Sequence, residues 1–176
     1  MKNDRLYALW RVALPRGLRR GELLSLTWGD IDLDARTLRV RSGKTKSSRR
    51  IVSLDAGTVT ALRNHRKRQA EERLATFGAY QDADLVFALE DGSPIPPHRI
   101  NMEFDRLTRK TALPRMRFHD CRHTAASIAL ESSVDIKVVS DQLGHATTKI
   151  TLDLYSHVVR RLHEEAAERV AASIDG

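Results

Sequence analysis

Tyr155 follows His145 by ten positions, and both come after the segment His119-Asp120-Cys121-Arg122. Upstream stand Arg19, within Gly17-Leu18-Arg19-Arg20-Gly21-Glu22, and two lysines, within Gly43-Lys44-Thr45-Lys46. An ordered series of cations that ends in a phenol suits chemistry on a phosphate. Phosphodiester cleavage is so slow without help that a catalyst must remove on the order of 20 kcal/mol of barrier. Most of that is stabilisation of negative charge in a phosphorane-like transition state. Many enzymes use Mg²⁺ held by clustered carboxylates, and the sequence offers no such cluster. Guanidinium groups can do the same work, because a planar fork grips two phosphate oxygens and stays charged. Arg19 and Arg122 are the candidates.

Each residue also has a plainer explanation. His119 and Arg122, at i and i+3, share one face of a helix, whereas His123 is rotated about 100° from Arg122. On the plain view His119 only starts a helix and Arg122 is a surface ion-pair partner. His119 and His123 have the i, i+4 spacing of zinc hydrolases with Cys121 between them, but Asp120 stands where the general-base Glu of His-Glu-x-x-His belongs, and Cys121 points off that face. No metal or cofactor is therefore expected. Tyr155 is about 0.1% phenolate at pH 7, so as a nucleophile it needs nearby cations or a base; otherwise it is an amphipathic core residue. Lys44, at a turn tip, can reach into a groove and protonate a leaving 5′ oxygen. Lys46 competes for that role, and both could be solvated lysines that merely touch phosphates. Leu143-Gly144-His145 closes a helix with Gly and leaves His145 in the turn.

The elements that must position these groups are mostly helices. Asp4 is expected to cap a helix with Leu6, Leu9, Trp10, Ala13 and Leu14 on its apolar face, broken by Pro15 and Gly17. A short helix carries Glu22, Leu23, Leu24 and Leu26. Ile31-Asp32-Leu33, Thr37 to Arg41 and Arg50 to Leu54 read as three antiparallel strands, with the two lysines in the second turn. A long helix is expected over residues 56–76, with Val59, Leu62 and Leu74 inward and His65-Arg66-Lys67-Arg68 as a charge run. Leu85-Val86-Phe87 reads as a short strand or a buried extended segment. Ile100, Phe104 and Leu107 mark another helix, ended by Pro114. Further helices are expected over 119–132, 135–143, 147–155 and 158–173, with Asp135 as a cap and Gly144 as a stop. The fold class is α+β, mainly helical, with a small three-stranded antiparallel sheet.

Composition narrows the class of partner. The chain has 176 residues, of which 41% are hydrophobic, enough for one globular domain over residues 1–176. Thirty Lys and Arg against 23 Asp and Glu give a net charge of +7 and a pI near 10.0. Such a balance favours a polyanion, with nucleic acid first and a membrane surface second. One cysteine, Cys121, allows no internal disulfide and fits a reducing compartment. The sequence shows no leader-like start and no apolar run long enough to span a bilayer, so a cytoplasmic location and no membrane partner are expected.

Taken together these segments resemble the catalytic domain of the tyrosine recombinase (phage integrase) family, over nearly the whole chain. The resemblance rests on Gly17 to Leu24 with Leu26-Thr27-Trp28-Gly29-Asp30-Ile31-Asp32, on His119 to Ser127, and on Leu143 to Thr148 continuing to Tyr155-Ser156-His157-Val158. It departs from the family in having Arg16, not the common Thr, before Gly17. The resemblance implies the fold of DNA breaking-rejoining enzymes. It makes Arg19 and Arg122 the clamp on the scissile phosphate, Lys44 the general acid, His119 an acid/base, His145 a donor to a phosphate oxygen and Glu22 a support for the site. Tyr155 would form a 3′-phosphotyrosine and free a 5′ hydroxyl, without ATP or metal. The implied function is site-specific recombination of double-stranded DNA, by a homotetramer on DNA in the full-length protein. The piece alone, without the family's amino-terminal DNA-binding domains, is expected to be a monomer with weak, salt-sensitive binding. Topoisomerase IB-like nicking and closing, or DNA binding without catalysis, are the alternatives. The last helix, with Leu162, Ala166, Val170 and Ile174 on one side, is similar to a family segment that often docks on a neighbouring protomer; packing in cis is the other option.

Overall fold

The computed structural model of the chain describes residues 4–41, 49–76, 78–111 and 114–175. Lys44 and Lys46, with the turn that carries them, lie outside the described residues.

Helix α1 spans Tyr7–Arg16 and ends where Gly17 takes the left-handed conformation at φ 59°. Asp4 does not cap it directly. Its carboxylate and carbonyl accept the amides of Leu6 and Tyr7, which builds a turn ahead of the helix. Pro15 lies inside the last turn of α1 and does not end it; the stop comes from Gly17, whose amide still bonds Ala13. Helix α2, Arg20–Leu24, follows at once.

Three strands come next: β1 Ile31–Asp32, β2 Thr37–Val40 and β3 Arg50–Ser53, antiparallel in that order. The β1–β2 turn is held by the Asp32 carboxylate, which accepts the amides of Asp34 and Ala35. Leu38 pairs with Val52 and both are buried, while Ile51 on the opposite face is exposed. That is the period-2 alternation of a sheet covered on one side.

Helix α3, Ala56–Ala75, starts at the Asp55 carboxylate, which accepts the Thr58 amide. Val59 and Leu62 face inward as expected, but Leu74 is 78% exposed, because the last turn of α3 runs past the core. His65 is buried instead of joining a charge run. Leu85 makes an isolated bridge to Thr27, and Val86 and Phe87 fill the core. Helix α4, Pro97–Thr108, stops six positions before Pro114, so that proline is not what ends it. Helices α5 (Asp120–Glu131), α6 (Ile136–Leu143), α7 (Thr148–Leu154) and α8 (Ser156–Asp175) complete the chain.

The described buried residues form two clusters. The larger joins α1, the sheet, α3 and α4, with Trp10 packed against Phe104 and Phe118 at ring separations of 5.9 and 6.0 Å. The smaller consists of Ala126, Leu130, Val139, Leu143, Tyr155 and Val158. Helix α5 serves both, with Cys121 in the first and Ala126 and Leu130 in the second.

Candidate active site

The site is built around Arg122, the third residue of α5, whose side chain is buried. One terminal nitrogen donates to the Gly17 carbonyl at 2.6 Å and the other to the Leu143 carbonyl at 2.5 Å. A guanidinium carries five N–H groups, so these two bonds fix its plane and leave further donors for a ligand. The bonds also tie the α1–α2 turn and the end of α6 to α5. Gly17 suits this contact twice over. Its positive φ disfavours any side chain, and a Cβ there would lie 2.9 Å from Leu143 Cδ2 and 3.3 Å from Arg122 Cγ. Arg16, the departure from the family pattern, leaves this turn intact and pairs with Asp55 at 3.2 Å. Burial, then Arg19, pull the Arg122 pKa down to about 10, with Glu22 acting in the opposite direction; the group remains cationic at neutral pH.

Arg19 stands at the N-cap of α2. Glu22 folds back to accept its backbone amide at 2.9 Å and its guanidinium at 2.8 Å. The same buried carboxylate takes both terminal nitrogens of Arg50, at 3.1 and 2.9 Å. Burial would raise the Glu22 pKa, but Arg50 and Arg19 hold it below its ordinary value. Arg50 also donates Nε to the Gln142 carbonyl at 2.6 Å.

His145 follows Gly144, the left-handed cap of α6. Its Nδ1 lies 2.8 Å from Thr151 Oγ1, which sets the ring's orientation. Burial, followed by Arg122, Arg19 and Arg50, lowers its pKa to about 4, so the ring is neutral at pH 7. His119 is the N-cap residue of α5 and is exposed. Burial of its ring, then His123 and Arg122, lower its pKa too. Beside it runs a cleft of about 800 Å³ lined in part by Arg20, Met116, Arg117 and Asp120.

Tyr155 sits between α7 and α8 with only 2% of its surface exposed. Burial raises its pKa and Arg122 pulls the other way. Its hydroxyl lies 3.1 Å from His123 Nδ1. His119 and His123 meet edge to face at 5.7 Å.

The sequence-derived candidates Arg19, Glu22, His119, Arg122, His145 and Tyr155 thus form one electrostatically coupled group. Three neighbours escaped sequence reasoning. On helical spacing His123 turns away from the His119–Arg122 face, yet Tyr155 approaches from that very side. Arg50 carries no motif, and Thr151 lies in the segment leading to Tyr155 that carries the family resemblance without being singled out for a role. Their signal is position, one just after the lysine turn and the other one helical turn before Tyr155.

The chain resembles known proteins over most of its length. The chain is 33% identical over 193 residues to a tyrosine recombinase XerC-like protein of Caldanaerobacter subterraneus subsp. tengcongensis, covering 96% of this chain and 49% of that protein. It superposes on the crystal structure of XerA recombinase with a TM-score of 0.74 at 27% identity, over 93% of this chain and 58% of the other. It superposes on XerH site-specific recombinase bound to difH substrate with a TM-score of 0.68 at 26% identity, over 93% and 46%. The chain spans about half the length of the curated relatives it matches. The model of the phage integrase family matches residues 2–161, and the chain belongs to that family.

Proposed function

We propose that residues 1–176 are the catalytic domain of a site-specific DNA recombinase that cleaves and rejoins strands through Tyr155. The observation that supports this reading is that Arg122, held between the Gly17 and Leu143 carbonyls, is the electrostatic neighbour of the Tyr155 phenol as well as of Arg19 and His145. Arg19 and the remaining donors of Arg122 grip the scissile phosphate. His145, with Nδ1 engaged by Thr151, donates from Nε2 to a phosphate oxygen. His119 acts as an acid/base at the same phosphate, and Glu22 holds Arg19 in position. Tyr155 attacks phosphorus to form a 3′-phosphotyrosine, Lys44 protonates the departing 5′ oxygen, and a 5′ hydroxyl later reverses the step. One phosphodiester-type bond replaces another, so no ATP is consumed.

The partner is a double-stranded recombination site, in keeping with the net charge of +7 and with the difH-bound relative. The full-length protein works as a homotetramer on DNA, in the cytoplasm. Among the described residues no helix is long and apolar enough to cross a membrane.

The test is a nicked suicide duplex, drawn from a pool with a randomised core, incubated with the full-length protein and run on a denaturing gel. A covalent adduct is expected with wild type and with EDTA present, and none with Tyr155→Phe. An adduct that survives Tyr155→Phe overturns the reading. Loss of the adduct in EDTA overturns its metal-independent chemistry.

A further inference from the structure

We propose that His123 is the catalytic base that takes the phenolic proton of Tyr155; this rests on the recombinase reading above. A nucleophilic phenol must lose its proton as it attacks, and burial makes that loss harder for Tyr155. Among the described residues, His123 is the side chain that hydrogen-bonds the Tyr155 hydroxyl, at 3.1 Å, within the reach required of a general base. The two rings are tilted with centroids 6.0 Å apart, so the contact is made at the edge of the imidazole where Nδ1 lies. In the Nε2–H tautomer Nδ1 accepts the hydroxyl proton. His123 directly follows Arg122, so the base is carried on the same turn of α5 as the guanidinium that grips the phosphate. Its ring is exposed and is not tied into either core. His119, whose ring meets that of His123 edge to face, remains available for the phosphate side.

The proton inventory closes. As the Oη–phosphorus bond forms and the phosphorus–O5′ bond breaks, the phenolic proton moves to His123 Nδ1. O5′ receives its proton from the general acid, Lys44. In rejoining, the attacking 5′ hydroxyl returns its proton to the lysine, and the His123 imidazolium reprotonates the departing Tyr155 phenolate.

Asparagine offers a hydrogen bond near the position of Nδ1 but cannot take a proton, which separates placement of the phenol from basicity. Single-turnover cleavage of the duplex selected above is measured for wild type, Tyr155→Phe, His123→Ala and His123→Asn in the full-length protein. Each His123 variant is also prepared with trifluorotyrosine, a more acidic phenol, at position 155. Both His123 variants should cleave about 10²–10⁴-fold more slowly, and the acidic phenol should restore about tenfold or more. A wild-type rate for His123→Asn would leave His123 with a positioning role only and overturn the proposal, as would a defect that the acidic phenol does not change. An adduct with Tyr155→Phe would instead overturn the recombinase reading on which this one rests.

Discussion

Glu22 shows how a buried carboxylate can organise the guanidinium groups around it. Its carboxylate accepts four N–H groups, two each from Arg19 and Arg50. The side chains of Glu22 and Arg50 are only 4% and 7% exposed, so neither is solvated if the other is removed. Arg50 also holds Gln142, three residues before His145. Arg50→Met should therefore cost about 3–5 kcal/mol, the range for breaking a buried pair from one side. Urea denaturation at pH 7 reads this directly, and a loss under about 1 kcal/mol, as for an exposed pair, would mean that water replaces Arg50. The half-buried Arg19 should not compensate, because its guanidinium gives Glu22 one bond, whereas Arg50 gives it two and also holds Gln142.

At the scale of elements, the sequence was most legible where local rules decide and least where distant elements meet. The three strands, the Asp135 cap and the Gly144 stop follow from alternation and cap chemistry, and the structure has them all. Pro15 misled because a proline is tolerated where its own helix is about to end. His65 and His123 misled for one shared reason: helical periodicity says which way a side chain points, not what waits there. For His65, what waits is the extended segment at Val86. The ring Nε2 donates to the Val86 carbonyl at 2.7 Å, and Nδ1 accepts from Arg68 at 3.2 Å. Burial, against the Val86 bond and with help from Arg68, lowers its pKa to about 4. A folded-state value below the unfolded one means stability that is complete above about pH 6.5 and is lost as pH falls toward 4. Between pH 7 and pH 5 His65 alone should remove about 2 kcal/mol. His145 shifts in the same direction, so His65→Gln should flatten the pH dependence of urea stability in this window without abolishing it. An unchanged slope would show that His65 is protonated equally in both states.

At the scale of the molecule, the site straddles two cores of unequal size. Arg19, Glu22 and Arg50 belong to elements anchored in the larger cluster, whereas Tyr155 is itself a member of the smaller one. Arg122 bridges them through Gly17 and Leu143, which secures α6 but not α7 or α8. Among the described residues those two helices reach the smaller cluster through Tyr155 and Val158 and leave Ile150, Leu152, Leu154, Val170 and Ile174 exposed. The Arg161–Glu131 pair that also ties α8 to α5 is exposed and contributes about 1 kcal/mol or less. Few buried apolar contacts mean a low free energy of local opening, so α7 and α8 should detach before the rest unfolds and carry Tyr155 with them. Native-state hydrogen exchange on the DNA-free chain should give amides of residues 150–161 opening energies about 2 kcal/mol or more below those of α1 and α3. Equal protection across these helices would mean that Tyr155 is locked in one cooperative unit with Arg19 and Arg122. Earlier opening would mean that Tyr155 is held in place chiefly by what binds beside it, so a DNA duplex lying across Arg19 and Arg122 should raise the protection of α7 and α8 more than that of α3.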